Sequence, residues 1–194
     1  MTQITKWWGG QPQIVNLGRL DQMSLDENFA EMIRVAIAAR KNSQAPYSKF
    51  GVGAAVESES GKVYAGCNVE RCSYSQTTHA EQNVIDSMVT TEGSVRIRRL
   101  FLVGALLDVD VPILDHDIVH KPVVLCPCNN ELVWPCGHCR QIVWENCDGV
   151  ILTPVYTLSK SGDLFLAHIG DLYPFPFGPQ NIGIKYRDEG GQNG

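Results

Sequence analysis

The stretch Trp134-Pro135-Cys136-Gly137-His138-Cys139-Arg140-Gln141 sets two cysteines three positions apart, behind a proline and ahead of helix-forming residues. Residues at that spacing share one face of a helix, so both sulfurs can reach one ion from its first turn. The free N–H groups of such a turn also stabilise thiolates. Two cysteines are half of a tetrahedral metal site, and His79-Ala80-Glu81 upstream is the best candidate for the rest. His79, Cys136 and Cys139 would hold a metal and leave one position open, as catalytic zinc sites do. Two thiolates balance the two charges of zinc, and His79 stays neutral. The acidity of a bound water then depends on nearby donors and on a base, and Glu81 supplies the base. The set reads as a catalytic zinc centre.

Two helix starts must therefore converge. One helix is expected from His79 to about Thr91, ended by Gly93, with Val84, Ile85 and Met88 facing inward. Another is expected from Cys136 to about Cys147. A third, capped by Asp26 or Ser24, should run to about Asn42, because Phe29, Ile33, Ala36, Ile37 and Arg40 recur at helical spacing and Pro46 forbids continuation. Phe50 to Val56 reads as a buried strand of small residues, which suggests close approach of another backbone or a ligand. The turn at Ser58–Gly61 returns the chain as a hairpin strand from Lys62 to Cys67, and Asn68 to Thr78 is a polar loop. Further strands are expected at Leu100–Leu106, Val150–Tyr156 and Leu164–His168. Helix, hairpin, helix, strand, helix, strand, strand predicts an α/β fold, a three-layer αβα sandwich around a mixed five-stranded sheet. Residues 1–194 read as one domain, with a surface arm over 1–24, an insertion over 108–133 and a free tail over 187–194. Within the insertion, Val123–Cys126 and Leu132–Trp134 could pair around Asn129-Asn130.

Composition narrows the function class. Apolar residues make up 44% of the chain and charged residues 19%, as in a soluble globular protein. The net charge of -5 leaves no basic stripe for a nucleic-acid backbone, and Arg96, Arg98 and Arg99 read as a solvated cluster. Gly9-Gly10 after Trp7-Trp8 denies a signal peptide its apolar core, and no stretch approaches the roughly 20 apolar residues of a membrane span. Seven cysteines, an odd number, point to thiols and metal rather than a disulfide framework, so the chain reads as cytoplasmic.

His79-Ala80-Glu81-Gln82 and Pro135-Cys136-Gly137-His138-Cys139-Arg140-Gln141 resemble the cytidine deaminase family, most closely its histidine-ligated, dimeric branch. Pro46-Tyr47-Ser48-Lys49-Phe50-Gly51-Val52-Gly53-Ala54-Ala55 resembles the family's opening strand, Gly66-Cys67-Asn68-Val69-Glu70 its ribose-binding segment, and Phe177-Gly178-Pro179 its closing motif. These blocks stand in the family's order and cover most of residues 28 to 180. The resemblance implies zinc, one per subunit, on His79, Cys136 and Cys139, with Glu81 shuttling protons. It implies that Asn68 and Glu70 bind the ribose hydroxyls, that Phe50 packs against the pyrimidine, and that the Ala80 backbone helps read its edge. Phe177 would reach over the site of a neighbouring subunit, so a homo-oligomer, dimer or tetramer, is implied. Gln82 stands where the family's three-cysteine branch carries an arginine, which fits a histidine ligand and one fewer negative charge. The carboxylate of Glu70 accepts from hydroxyls and repels phosphate, which favours a free nucleoside over a nucleotide or DNA.

The expected activity is hydrolytic deamination of cytidine or deoxycytidine to the uracil nucleoside and ammonia. Some features depart from the family. Residues 82–134 separate Glu81 from Pro135, a longer interval than usual, the second degenerate domain of the dimeric branch is missing, and Arg71-Cys72 replaces a small pair. A deaminase or amidohydrolase acting on a modified cytosine nucleoside or a nucleoside antibiotic is therefore the alternative. A thiol oxidoreductase is a remote alternative, since Pro135 separates Trp134 from the first cysteine. So is a zinc-stabilised binding module, with Cys126, Cys128 or His138 as a fourth ligand. A second metal site on Cys126, Cys128, His116 and His120 is disfavoured, because residues two apart in a strand face opposite ways. Cys67, Cys72 and Cys147 are expected to be small core residues.

Overall fold

Asp26 starts the first helix: its carboxylate accepts the Phe29 N–H at 2.9 Å, and α1 runs Glu27–Lys41. Its buried face is Phe29, Met32, Ile33, Ala36 and Ile37, the face expected from spacing. A computed structural model of the chain describes residues 13–108, 132–159 and 161–186. The remaining elements are β1 (Val15–Arg19), β2 (Phe50–Ser58), β3 (Val63–Cys67), α2 (Ala80–Glu92), β4 (Ile97–Leu106), α3 (Gly137–Asn146), β5 (Pro154–Leu158), β6 (Asp163–His168) and the short α4 (Ile169–Leu172). The expected pairing around Asn129-Asn130, Cys126, Cys128, His116 and His120, and the tail from 187 lie outside the described residues.

The strands form one mixed sheet in the order β1-β6-β5-β4-β2-β3, in which only β4 and β5 pair in parallel. Among the described residues it has six strands rather than the expected five. The extra one, β1, comes from the segment read as a surface arm, and it pairs antiparallel with β6 at the sheet edge. A second correction concerns β5, which begins at Pro154 rather than Val150. Asp148 and Gly149 take positive φ of 54° and 68° after α3, and the turn closes with the Thr153 N–H on the Val150 carbonyl at 3.0 Å.

Alternate residues of the central strands feed two cores. Ala55, Phe101, Val103 and Ala105 pack against α1, while Ala54, Val56, Leu100 and Leu102 pack against the side chains of α2 and α3. This is the three-layer αβα arrangement. Glycines set the layer spacing. A Cβ on Gly53 would sit 1.9 Å from the Ala36 carbonyl oxygen of α1, and one on Gly66 would sit 2.6 Å from the Val84 nitrogen of α2. The close approach inferred from the small residues of β2 is thus to a helix backbone. The arginine cluster is tied down: Arg99 pairs with Glu57 and Asp26, Arg98 with Glu57 and Arg96 with Glu59. Among the described residues no helix is long and apolar enough to cross a membrane.

Candidate metal centre

The packing of Gly66 against α2 matters because it places the start of that helix. His79 is the N-cap of α2, and the Asn83 side-chain amide ties the first turn to the Cys67 carbonyl at 3.2 Å. Cys136 is the N-cap of α3, and Cys139 is buried in that helix's first turn. The two starts converge: His79 Nδ1 lies 3.4 Å from each of the two cysteine sulfurs. All three donor atoms lie within 4.8 Å of one another.

These donors fit zinc. Ordinary Zn–N and Zn–S bonds at tetrahedral angles put nitrogen and sulfur about 3.6 Å apart. Burial, then the negative charge of Glu81 and of Cys136, push the Cys139 thiol well up. Such a crowding of potential anions in a buried volume suits a divalent cation, which reverses that direction. His138, weighed as a fourth protein ligand, lies outside the group: its ring stands edge-on to His79 with centroids 6.0 Å apart. Glu81 is buried beside the donors, and burial raises its carboxyl even though Cys139 hydrogen-bonds to it.

The other expected site residues are held in different ways. Asn68 is stitched to β2: its Oδ1 accepts the Val52 N–H at 2.8 Å and its Nδ2 donates to the Phe50 carbonyl at 3.0 Å. Phe50 is half-buried, and with Val133 it fills the space a side chain on Gly104 would need. Glu70 accepts the N–H groups of Tyr47 at 2.9 Å and Ser48 at 3.2 Å, and the Ser48 hydroxyl. Burial alone would raise its carboxyl, but the Ser48 hydroxyl, the two N–H groups and Lys49 hold it below the ordinary range. Ala80 is buried at the first position of α2, where N–H groups lack helical partners. Phe177 is 61% exposed, and its carbonyl accepts the Gln141 side chain at 2.7 Å. Of the cysteines expected in the core, Cys147 is buried and Cys67 half-buried, but Cys72 is exposed in the polar loop.

The model of the cytidine and deoxycytidylate deaminase zinc-binding region matches residues 26–152. The chain belongs to that family. It is 31% identical over 152 residues to a cytidine deaminase of Sporosarcina psychrophila, spanning 78% of this chain and 93% of the relative. It is 30% identical over 151 residues to a cytidine deaminase of Halalkalibacterium halodurans, spanning 78% and 95%. The crystal structure of a cytidine deaminase from Burkholderia pseudomallei superposes with a TM-score of 0.56 at 30% identity, over 79% of this chain and all of that one. The matched region is a zinc-binding one, and this deaminase family member carries in His79, Cys136 and Cys139 a donor group fit for that ion.

Sequence reasoning gave no role to Arg140 and Gln141, which bind backbone carbonyls flanking the site. It also missed Tyr47 and Ser48 as partners of Glu70. The available signal was position. Helical side chains lean toward the start of their helix, which brings Arg140 within reach of the Pro135 carbonyl.

Proposed function

We propose that this chain deaminates cytidine or deoxycytidine hydrolytically: nucleoside and water give the uracil nucleoside and ammonia. One observation carries the reading, the convergence of His79, Cys136 and Cys139 with the buried carboxyl of Glu81 beside them. One zinc per subunit would be held by His79, Cys136 and Cys139. When bound there, it supplies the Lewis acidity that makes water a nucleophile near neutral pH. Glu81 would take one proton from the attacking water and pass it to the pyrimidine ring nitrogen, then take the second from the new hydroxyl on the amino-bearing carbon and pass it to the departing amine as the carbonyl forms. Its burial suits both jobs, because a carboxyl shielded from bulk water exchanges its protons with the bound reactants.

Phe50 packs on the pyrimidine and the Ala80 backbone reads its edge. Asn68 keeps a second N–H and Glu70 a spare lone pair for the sugar hydroxyls. Glu70's negative charge disfavours a phosphate there, so the substrate is a nucleoside rather than a nucleic acid. Phe177 closes the site of a neighbouring copy in a homo-oligomer. The exposed apolar side chains of Phe175, Phe177, Ile182 and Ile184 support such a contact. The protein acts in the cytoplasm as one catalytic domain. The long interval between Glu81 and Pro135 keeps one second reading in view, a modified cytosine nucleoside as the substrate.

Glu81→Gln tests the chemistry. Zinc content and fold should persist while ammonia release from cytidine falls by about 10²–10⁴-fold or more. A Glu81→Gln protein with wild-type turnover removes the reading. An ultraviolet assay over unmodified and substituted cytosine nucleosides separates the two substrate classes. Much faster turnover of a substituted analogue would favour the second.

A further inference from the structure

The two cysteines of the donor group are held differently. Cys139 is buried within the helix, whereas Cys136 is exposed at its start and makes no side-chain capping bond. The place of Cys136 is set by the backbone on either side of it. After it comes the first helical bond, from the Arg140 N–H to the Cys136 carbonyl at 2.9 Å. Before it, the buried Pro135 offers its carbonyl to Arg140 Nε at 2.7 Å. The same guanidinium donates through Nη1 to the carbonyl of Leu172 at 2.9 Å. Leu172 ends α4, and the last carbonyls of a helix lack helical partners. Next in sequence, Gln141 accepts the Tyr173 hydroxyl at 2.8 Å and donates to the Phe177 carbonyl at 2.7 Å.

We propose that Arg140 is a positioning residue for Cys136, anchored on Leu172, so that the metal-binding turn and residues 169–177 move as one body. It acts through the Pro135 carbonyl and not on the metal. A guanidinium suits this task because its fork is planar and rigid: fixing one arm on Leu172 fixes where the other arm meets Pro135. A lysine ammonium has the charge and much of the stem but cannot hold both carbonyls in one plane. Gln141 adds the second tie from the same helix turn to the same segment. The consequence is reciprocal. If the ordering of 169–177 favours the metal-ready place of Cys136, then metal binding favours the ordering of 169–177 by the same factor. The proposal rests on the zinc site of the reading above, and is independent of the substrate.

Arg140→Lys tests it in the zinc-loaded protein. Competition with a chelator should show zinc held about 10-fold more weakly, the usual effect of losing an outer support of a ligand. The Co(II)-substituted variant should show a shifted thiolate-to-cobalt band, with far-ultraviolet circular dichroism unchanged. Wild-type zinc affinity and an unshifted band in the variant would overturn the proposal. A wild-type protein with no thiolate band at all would remove the metal site, and the positioning role with it. Wild-type protein alone gives a second test that needs no variant to fold. Stripping zinc should speed amide exchange across 169–177 several-fold while leaving α1 as it was. No change in 169–177, or an equal rise in α1, would also overturn it.

Discussion

Three helices of this chain begin in nearly the same backbone shape and spend their first residue differently. Asp26 before α1, His79 before α2 and Cys136 before α3 have φ of -68°, -78° and -67° and ψ of 156°, 156° and 170°. All three are ordinary N-cap conformations. Only Asp26 does what the position normally does, taking the Phe29 N–H with its carboxylate. His79 and Cys136 make no side-chain capping bond, and they face each other across 3.4 Å instead. The helix on one face of the sheet is built for stability. The two on the other face give up their caps to donor atoms and leave first-turn N–H groups as a partial positive charge beside the two sulfurs. Metal binding, which favours the folded state, offsets what the missing caps would have contributed.

The comparison breaks most visibly at His79. Replacing His79 with Ser removes one of three donors and installs one of the best capping side chains in a backbone already shaped for it. Zinc affinity should fall by orders of magnitude, and turnover with it. The zinc-free variant should nevertheless be more stable than zinc-free wild type, by about 1 kcal/mol. Urea unfolding of both proteins in excess chelator measures this. A zinc-free His79→Ser protein that unfolds at lower urea than zinc-free wild type would mean that the α2 start lacks nothing, and that the contrast with α1 is only apparent.

The same contrast explains what could be read from the chain before its fold was known. Donor groups and helix starts were legible because each lies in one short segment: Asp26 with its first turn, His79 with Glu81, Cys136 with Cys139. The faces of α1 and α2 were legible because burial follows helical period. β1 was not. Val15, Leu17 and their neighbours are mostly exposed, and the strand has a register shift between Asn16 and Gly18, where the Gly18 N–H turns to the Asn16 side chain. It is a strand because β6 is there to pair with it, and nothing local announces that. The start of β5 was misread for a related reason. Val150, Ile151 and Leu152 look like strand residues, but the turn at Asp148-Gly149 lies ahead of them and leaves Leu152 66% exposed. The ties from Arg140 and Gln141 to Leu172, Tyr173 and Phe177 were hidden because those partners are distant in sequence, and two of them are backbone carbonyls, which look the same under every side chain.

A smaller effect sharpens the stable side of the comparison, because at Asp26 cap and charge can be separated. Asp26 also receives Arg99 through both terminal guanidinium nitrogens, at 2.8 and 2.6 Å. Arg99, and then the Phe29 N–H, hold its carboxyl at about 2. Asp26→Ala loses both functions and should cost about 1–2 kcal/mol by urea unfolding at pH 7. Asp26→Asn keeps a good cap and loses only the charge. With the carboxylate side chain 58% exposed, solvent screens the pair, and the loss should stay within about 1 kcal/mol. The pH dependence follows from the sign. A carboxyl held at about 2 in the fold, against about 4 in the unfolded chain, stabilises the fold fully above pH ~4 and loses that contribution as pH falls towards 2. Asp26→Asn should therefore be flatter than wild type between those limits and meet it at the acid end. The slope that remains belongs in part to Glu92, which the Ser60 and Ser58 hydroxyls hold at about 2 as well. Parallel stability curves for wild type and Asp26→Asn across that window would show that Asp26 acts by capping alone. The difference between α1 and the two metal-binding helices would then lie wholly in who accepts the first-turn N–H groups.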